Sequence, residues 1–161
     1  MSGQAAHGEC SEALVGLAES GAELVYCSIL DMELLDTAYK VALIERYGGR
    51  WREARPDGRA RRRAGRITNT TEKAWREITA AVPTRCVEPA EVADEVPNLM
   101  RRYGLRSFDA LHVASALWSG VADMYTLDAG FAGVPASRLK LHTVQSKISR
   151  MRAIRAGRVA S

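Results

Sequence analysis

The chain is organised around the segment SFDALHVASAL at residues 107–117 and the segment VADMYTLD that follows at residues 121–128. The first segment predicts a helix, because a capping residue is followed by apolar and small side chains at helical spacing. We expect Ser107 at the N-cap and Asp109 in the first turn, where the helix dipole and the free backbone N–H groups favour a negative charge. The sequence therefore predicts an ionised Asp109 at the start of this helix.

The second segment predicts a strand that ends beside the same acid. Gly120 is expected to end the helix, and the run to Thr126 predicts a buried strand, with Asp128 just beyond its carboxyl end. Two carboxylates, Asp109 and Asp128, are therefore expected to approach one edge of a sheet.

Composition limits the class of protein. A chain of 161 residues with 47% hydrophobic and 26% charged residues predicts a single globular domain with a proper core. No window approaches the roughly 18 apolar residues of a membrane span, and no signal-peptide pattern opens the chain, so we expect a cytoplasmic protein with no membrane contact. Cys10, Cys27 and Cys86 form no CxxC pair and are odd in number, which predicts buried thiols rather than disulfides or a structural zinc site.

The basic residues are concentrated in two segments. Residues 50–66 hold eight arginines against two acids, and the tail at 145–161 holds five basic residues and no acid. Such runs indicate either a solvated surface or a footprint for a polyanion. Under the second interpretation Arg61, Arg62 and Arg63 contact RNA, and Trp51 is the aromatic residue best placed to stack on a base.

Helical periodicity alternates with short apolar runs along the chain. This order predicts an α/β fold with a short, mostly parallel sheet between helices, in which ligands lie beyond the carboxyl ends of the strands. The predicted elements are a helix at 8–19, a strand at 23–27, a helix at 30–46 capped by Ser28 or Asp31, a loop or poorly packed helical arm at 50–66, a helix at 71–78 capped by Asn69 or Thr70, a strand at 85–87, a helix at 89–103 kinked at Pro97, and an edge strand at 139–144.

A third acid is expected at the same sheet edge. Glu33 lies in the first turns of the predicted helix at 30–46, with Asp36 one turn later as a weaker substitute. Clustered carboxylates suit Mg²⁺ or Mn²⁺, which keep some waters and accept phosphate oxygens in the remaining positions. Glu33, Asp109 and Asp128 are therefore the candidate catalytic and metal-binding residues, and phosphodiester hydrolysis is the predicted chemistry.

Three stretches resemble PIN-domain proteins: LRSFDALHVA at 105–114, YTLDAGF at 125–131 and SILDMEL at 28–34. The resemblance runs from about residue 7 to residue 144, and many members of the family are VapC-type ribonuclease toxins. It implies a PIN-like three-layer fold over residues 1–144, with the basic insertion at about 50–66 and the basic tail at 145–161 outside the common core.

The resemblance also implies an activity. The chain would be a Mg²⁺- or Mn²⁺-dependent endoribonuclease restrained by a cognate antitoxin protein, with Glu33, Asp109 and Asp128 as metal-site acids and Thr126 as a supporting hydroxyl. A homodimer is expected, with Trp118 as a core or dimer contact, and His112 is expected to be a packed side chain rather than a ligand.

The chain departs from the family at its front. Members begin with an apolar strand that ends in an Asp, and residues 1–7 here are neither apolar nor acidic. We therefore expect the first strand and first acid of the family to be missing here, either because the true start lies upstream of Met1 or because the strand has been lost. This leaves an alternative function: a catalytically impaired PIN-like protein that binds an antitoxin or RNA without turnover. In the family's sheet this strand lies between the strands here at 23–27 and 122–126, so these would either pair directly or each keep an open edge.

Overall fold

The computed structural model describes residues 15–126 and 128–142, and the predicted α/β class is confirmed. Residues 15–20 are helical, and no helix in the described ranges is long and apolar enough to cross a membrane. The strands are β1 (Leu24–Cys27), β2 (Thr84–Val87), β3 (Asp123–Tyr125) and β4 (Lys140–His142), and the helices are α1 (Ile29–Tyr47), α2 (Trp51–Ala54), α3 (Gly58–Ala81), α4 (Pro89–Val92), α5 (Val96–Tyr103) and α6 (Ser107–Trp118), with 3₁₀ turns at Gly48–Arg50, Ala93–Glu95 and Ala129–Gly133.

The four strands form two separate two-stranded parallel sheets, β1 with β2 and β3 with β4. The single sheet predicted from the alternating pattern is therefore wrong for the described residues, and β1 does not pair with β3. In the second sheet Met124 lies opposite Leu141. Met124 packs against the core while Asp123 and Tyr125 are exposed, so β3 is covered on one face and is not the buried strand expected.

The chain divides into two compact units. The first unit holds residues Val25–Cys27 and the described residues from 85 onward, and its core surrounds α6. Ala110, Val113 and Ala114 are the buried residues on the core face of α6, which is why this small-residue helix can be packed closely. The largest fully buried side chains of this core are Val87, Val113, Val134 and Leu139.

Helix boundaries in the first unit differ from the prediction at two places. The N-cap of α6 is Arg106 and Ser107 is its first residue, so Ser107 caps nothing. The helix expected at 89–103 is divided into α4 and α5 by the turn at Ala93–Glu95. Pro97 consequently lies in the first turn of α5, where its missing N–H is not needed, instead of kinking a longer helix.

The second unit is built on the pairing of α1 with α3. Ala60 and Ala64, one turn apart on α3, are fully buried against Ala42 and Leu43 of α1. The side chain of Asp57 caps α3 by accepting hydrogen bonds from the backbone N–H groups of Arg59 (2.9 Å) and Ala60 (2.8 Å).

This arrangement corrects the predictions for residues 50–66 and 71–78. The first range is the short helix α2 and the capped beginning of α3, and the second lies inside α3, so Asn69 and Thr70 cap no helix. The start of α3 is hard to recognise from the sequence, because its buried residues are two alanines, Ala60 and Ala64, among arginines.

Two smaller corrections concern burial. The apolar spacing of residues 30–46 predicts a buried helix face that includes Val41 and Ile44, but on α1 these two residues are exposed and Leu43 is buried. Cys27 is buried, as expected, but Cys86 is exposed because it lies on the uncovered side of β2. Cys10, the first part of the helix at 8–19, residues 143–144 and the tail at 145–161 lie outside the described residues.

The contact between α1 and α3 predicts a large effect from one side chain. Replacing Ala64 by Leu inserts three carbons into a fully buried contact, so we expect it to lower the free energy of unfolding by about 1–3 kcal/mol. The matched control is Ala74→Leu on an exposed position of the same helix, which should change stability by less than about 0.5 kcal/mol. Urea unfolding measures both. Equal stability of the two variants would show that this helix contact is not formed.

Candidate acidic site

The structure brings Asp109 and Asp128 together beside Gly130. A Cβ atom built on Gly130 would lie 3.2 Å from Asp128 Oδ1 and 3.6 Å from Asp109 Oδ2. Asp109 comes from the first turn of α6, and Asp128 follows β3 and opens the turn at Ala129–Gly133. Two of the three predicted site acids therefore share one small volume, and a residue without a side chain leaves that volume open.

Asp128 is held by two short-range hydrogen bonds. Its backbone N–H donates to Thr126 Oγ1 (3.0 Å), and the backbone N–H of Gly130 donates to Asp128 Oδ1 (2.7 Å). Side chains that bond to the backbone two residues away are typical of Asp and Thr in turns. The hydroxyl predicted as supporting, that of Thr126, thus contacts the backbone of Asp128 and fixes the turn that presents the carboxylate.

The carboxylate of Asp109 experiences opposing influences. Burial, and then the charge of Asp128, raise the pKa of Asp109 above its ordinary value, while a hydrogen bond with the backbone of Arg106 and the charges of Arg106 and His112 act in the other direction. The raising influences are larger. The start of α6 therefore does not favour ionisation of Asp109 in the way that the helix dipole alone predicts.

The pair suits a divalent cation in its donor chemistry. Two neighbouring carboxylates repel each other, and Mg²⁺ typically binds one or two carboxylates while keeping waters and taking phosphate oxygens. Because Gly130 has no side chain, the space next to both carboxylates is not filled by a Cβ atom. Asp109 and Asp128 would hold such an ion. Across residues 15–126 and 128–142 there is no group of three or more His, Cys, Asp or Glu side chains that could hold a metal.

Glu33, the third predicted acid, lies in the second unit. It is half-buried in the second turn of α1, and Asp36 lies one turn later on the same helix and is exposed. Neither residue belongs to the compact unit that carries Asp109 and Asp128. The acid pair of the first unit therefore consists of Asp109 and Asp128.

A side-chain contact between β3 and β4 fixes the strand that leads to Asp128. His142 Nε2 lies 2.6 Å from Asp123 Oδ1, and the rings of Tyr125 and His142 stack with centroids 4.5 Å apart. The backbone N–H of Thr126 donates to the carbonyl oxygen of His142 (3.1 Å). Sequence reasoning missed Asp123, Tyr125 and His142, although the alternation of polar and apolar residues in both strands places them on one face.

Five other predicted residues are placed as follows. His112 is half-buried on α6, and its charge is among those acting on Asp109. The sequence predicts Trp118 to be a core or a dimer contact. It is 56% exposed because it ends α6 beyond the packed turns, so the core alternative is wrong and the dimer contact stays a prediction. Arg61, Arg62 and Arg63 are exposed on α3.

No protein-family model, no curated protein and no solved structure matches this chain. The resemblance to PIN domains consequently rests on the motifs at 28–34, 105–114 and 125–131.

The acid pair predicts a measurable coupling. Because the charge of Asp128 helps to raise the pKa of Asp109, we expect Asp128→Asn to lower the pKa of Asp109. Carbon-detected NMR titration of the Asp109 carboxyl measures it directly. The matched control is Glu95→Gln, since Glu95 is not among the charges that act on Asp109. An Asp109 titration identical in the parent chain and in the Asp128 variant would show that the two carboxylates are not neighbours.

The contact between Asp123 and His142 predicts a loss of stability in acid. The hydrogen bond from His142 lowers the pKa of Asp123, so its stabilising contribution is complete above the ordinary range of an Asp carboxyl, roughly pH 4, and is lost as the pH falls through the folded-state pKa. We therefore expect Asp123→Asn to destabilise the protein at neutral pH and to make little difference at about pH 2.5. Denaturant unfolding at several pH values measures this difference. A difference that grows as the pH falls would contradict the assignment.

Proposed function

We propose that this chain is a metal-dependent endoribonuclease of a toxin–antitoxin pair, with a PIN-like arrangement around its acid pair. The observation that carries the proposal is the meeting of Asp109 and Asp128 beside Gly130, at the start of one helix and just after one strand. These are the two acids of the motifs that resemble PIN domains. Their proximity supports a site for a divalent cation and a phosphate.

In this proposal each residue has a limited task. Asp109 and Asp128 bind Mg²⁺ or Mn²⁺ through their carboxylate oxygens, and Thr126 and Gly130 hold Asp128 in place through the two turn hydrogen bonds. Glu33 remains a proposed third ligand. The bound ion supplies Lewis-acid activation of water and of the scissile RNA phosphate.

The raised pKa of Asp109 has a consequence for cation binding. A proton and a cation compete for the same carboxylate, so cation affinity rises with pH until Asp109 is fully ionised. Burial is the largest cause of this raised pKa, and the repulsion from Asp128 that adds to it is relieved by a bound cation. The same feature that disfavours ionisation therefore favours binding of a divalent ion.

A protein partner is part of the proposal. Phe108 and Trp118, at the two ends of α6, are 52% and 56% exposed, and large exposed apolar side chains are candidates for contacts between proteins. We propose that a cognate antitoxin covers this part of α6, and that the active form is a homodimer.

The test of the nuclease proposal is cleavage of structured RNA with Mn²⁺. We expect metal-dependent cuts by the parent chain and a fall in rate of about 100-fold or more for Asp109→Asn and for Asp128→Asn, because each variant removes one of the two ligands. Glu33→Gln tests the third ligand separately.

The matched control is Asp94→Asn, the same chemical change at an exposed acid in the turn at Ala93–Glu95. It should cleave like the parent chain. Identical cleavage by the Asp109 variant and the parent would sink the nuclease proposal, and RNA or antitoxin binding without any cleavage would favour the alternative of a binding protein without turnover.

A further inference from the structure

The arginines of α3 form a stripe on one face of the helix. Arg59, Arg62 and Arg66 follow the spacing i, i+3, i+7, which places them on a single face over about 10 Å of helix length. This face lies opposite the buried Ala60 and Ala64, and all three arginines are exposed. Arg63, four residues after Arg59 and three before Arg66, borders this stripe, whereas Arg61 lies away from it, so the run at 61–63 is divided by the helix geometry.

The stripe is only partly compensated by acid. Backbone hydrogen bonds from Ala60 and Arg59, together with the charges of Arg59 and Arg62, lower the pKa of Asp57, so its carboxylate acts on two of the three stripe arginines. Residues 58–71 contain five arginines and no Asp or Glu, and none of these arginines forms an ion pair within the part of the chain that the structure describes. The two acids that precede them also have other partners. Glu53 pairs with Arg50 (3.0 Å), and the carboxylate of Asp57 accepts the capping hydrogen bonds of α3.

The second half of the same helix shows the contrast. There Lys73 lies 3.8 Å from Glu77, and Arg76 lies 2.5 Å from Glu72, each within one helical turn. Pairs of this kind are the usual way in which an exposed helix balances its charges. The first half of α3 has no such pair within the described residues and carries five arginines beside the single carboxylate of Asp57, so an excess of positive charge is a local feature of this surface.

The aromatic residue of this region is already occupied. Trp51 packs against the cluster of Ala42, Leu43, Ala60 and Ala64, and the cationic groups of Arg52 and Lys40 lie 4.7 Å and 5.8 Å from its ring centroid. A ring in this position is not a free platform for a base. Recognition at this surface would therefore use charge and not stacking.

We propose that Arg59, Arg62 and Arg66 form a nucleic-acid binding surface that holds the phosphate backbone of RNA without reading its bases. Arginine binds phosphate through planar, bidentate hydrogen bonds, and contacts to phosphate carry no sequence information. The proposal deepens the proposed function by assigning where the RNA is held, but binding at this surface needs neither the acid pair nor a cation.

The test is the salt dependence of binding to single-stranded oligouridylate in EDTA, so that no cleavage occurs. Each phosphate contact on a single strand contributes about 0.7 to the slope of log affinity against log salt, so the triple variant Arg59→Gln, Arg62→Gln, Arg66→Gln should reduce the slope by about 2. The stripe variant should lose affinity for oligothymidylate as much as for oligouridylate, because the proposed contacts are to the phosphate backbone.

The control variant removes three exposed arginines of the first unit, Arg101, Arg102 and Arg138, by the same change to Gln. Its slope should match that of the parent chain, which separates a local surface from an effect of net charge. Far-ultraviolet circular dichroism and thermal unfolding check that both variants keep their helices.

Three results would overturn the proposal. An unchanged slope in the stripe variant, or an equal reduction in the control variant, would show that α3 does not hold the backbone. Competition by polyglutamate as effective as that by RNA, charge for charge, would assign the surface to an acidic protein instead. Failure of the nuclease proposal is distinguishable, because Asp109→Asn would then leave cleavage unchanged while the stripe variant still lost RNA affinity.

Discussion

The proximity of two carboxylates is the constraint around which the first unit is arranged. Asp109 is partly withdrawn from water and lies beside Asp128, and both conditions disfavour its charged form. Such a pair is maintained only if the backbone on each side is fixed independently. The core face of α6 fixes Asp109, because Ala110, Val113 and Ala114 are buried in the largest core cluster. The turn at Ala129–Gly133 fixes Asp128 through two hydrogen bonds.

The two units use charge in different ways. In the first unit like charges are placed together next to Gly130, where adding even a single carbon would meet Asp128 Oδ1 at 3.2 Å. In the second unit Arg59, Arg62 and Arg66 of α3 lie on the face away from Ala60 and Ala64, where they are exposed to water. An acid pair of this kind requires precise packing around it, whereas a basic stripe requires only a helix with one buried face.

The sequence predicted those parts of the fold whose signal is local. The positions of α1, α6, β2 and β4 follow from periodicity and stop residues, and the approach of Asp109 to Asp128 follows from a helix start and a strand end that are close in sequence. The helical state of residues 58–66 could not be predicted, because its burial depends on two alanines that match the surface of α1. The pairing of strands, the pKa of Asp109 and the contact between Asp123 and His142 depend on tertiary neighbours, which a hydrophobic pattern does not specify.

The position of Asp128 in the acid pair depends on the short strands β3 and β4. A two-stranded sheet is at best marginally stable by itself, and β3 and β4 have three residues each. Their backbone pairing is therefore supplemented on one face by the packing of Met124 and Leu141 and on the other by the contact between Asp123 and His142. The backbone N–H of Thr126, which follows β3 and lies two residues before Asp128, donates a hydrogen bond to the carbonyl oxygen of His142. Because the position of one carboxylate depends on so short a sheet, we infer that a change at His142 is transmitted to the acid pair more readily than a change of the same size on the long and well-packed α6.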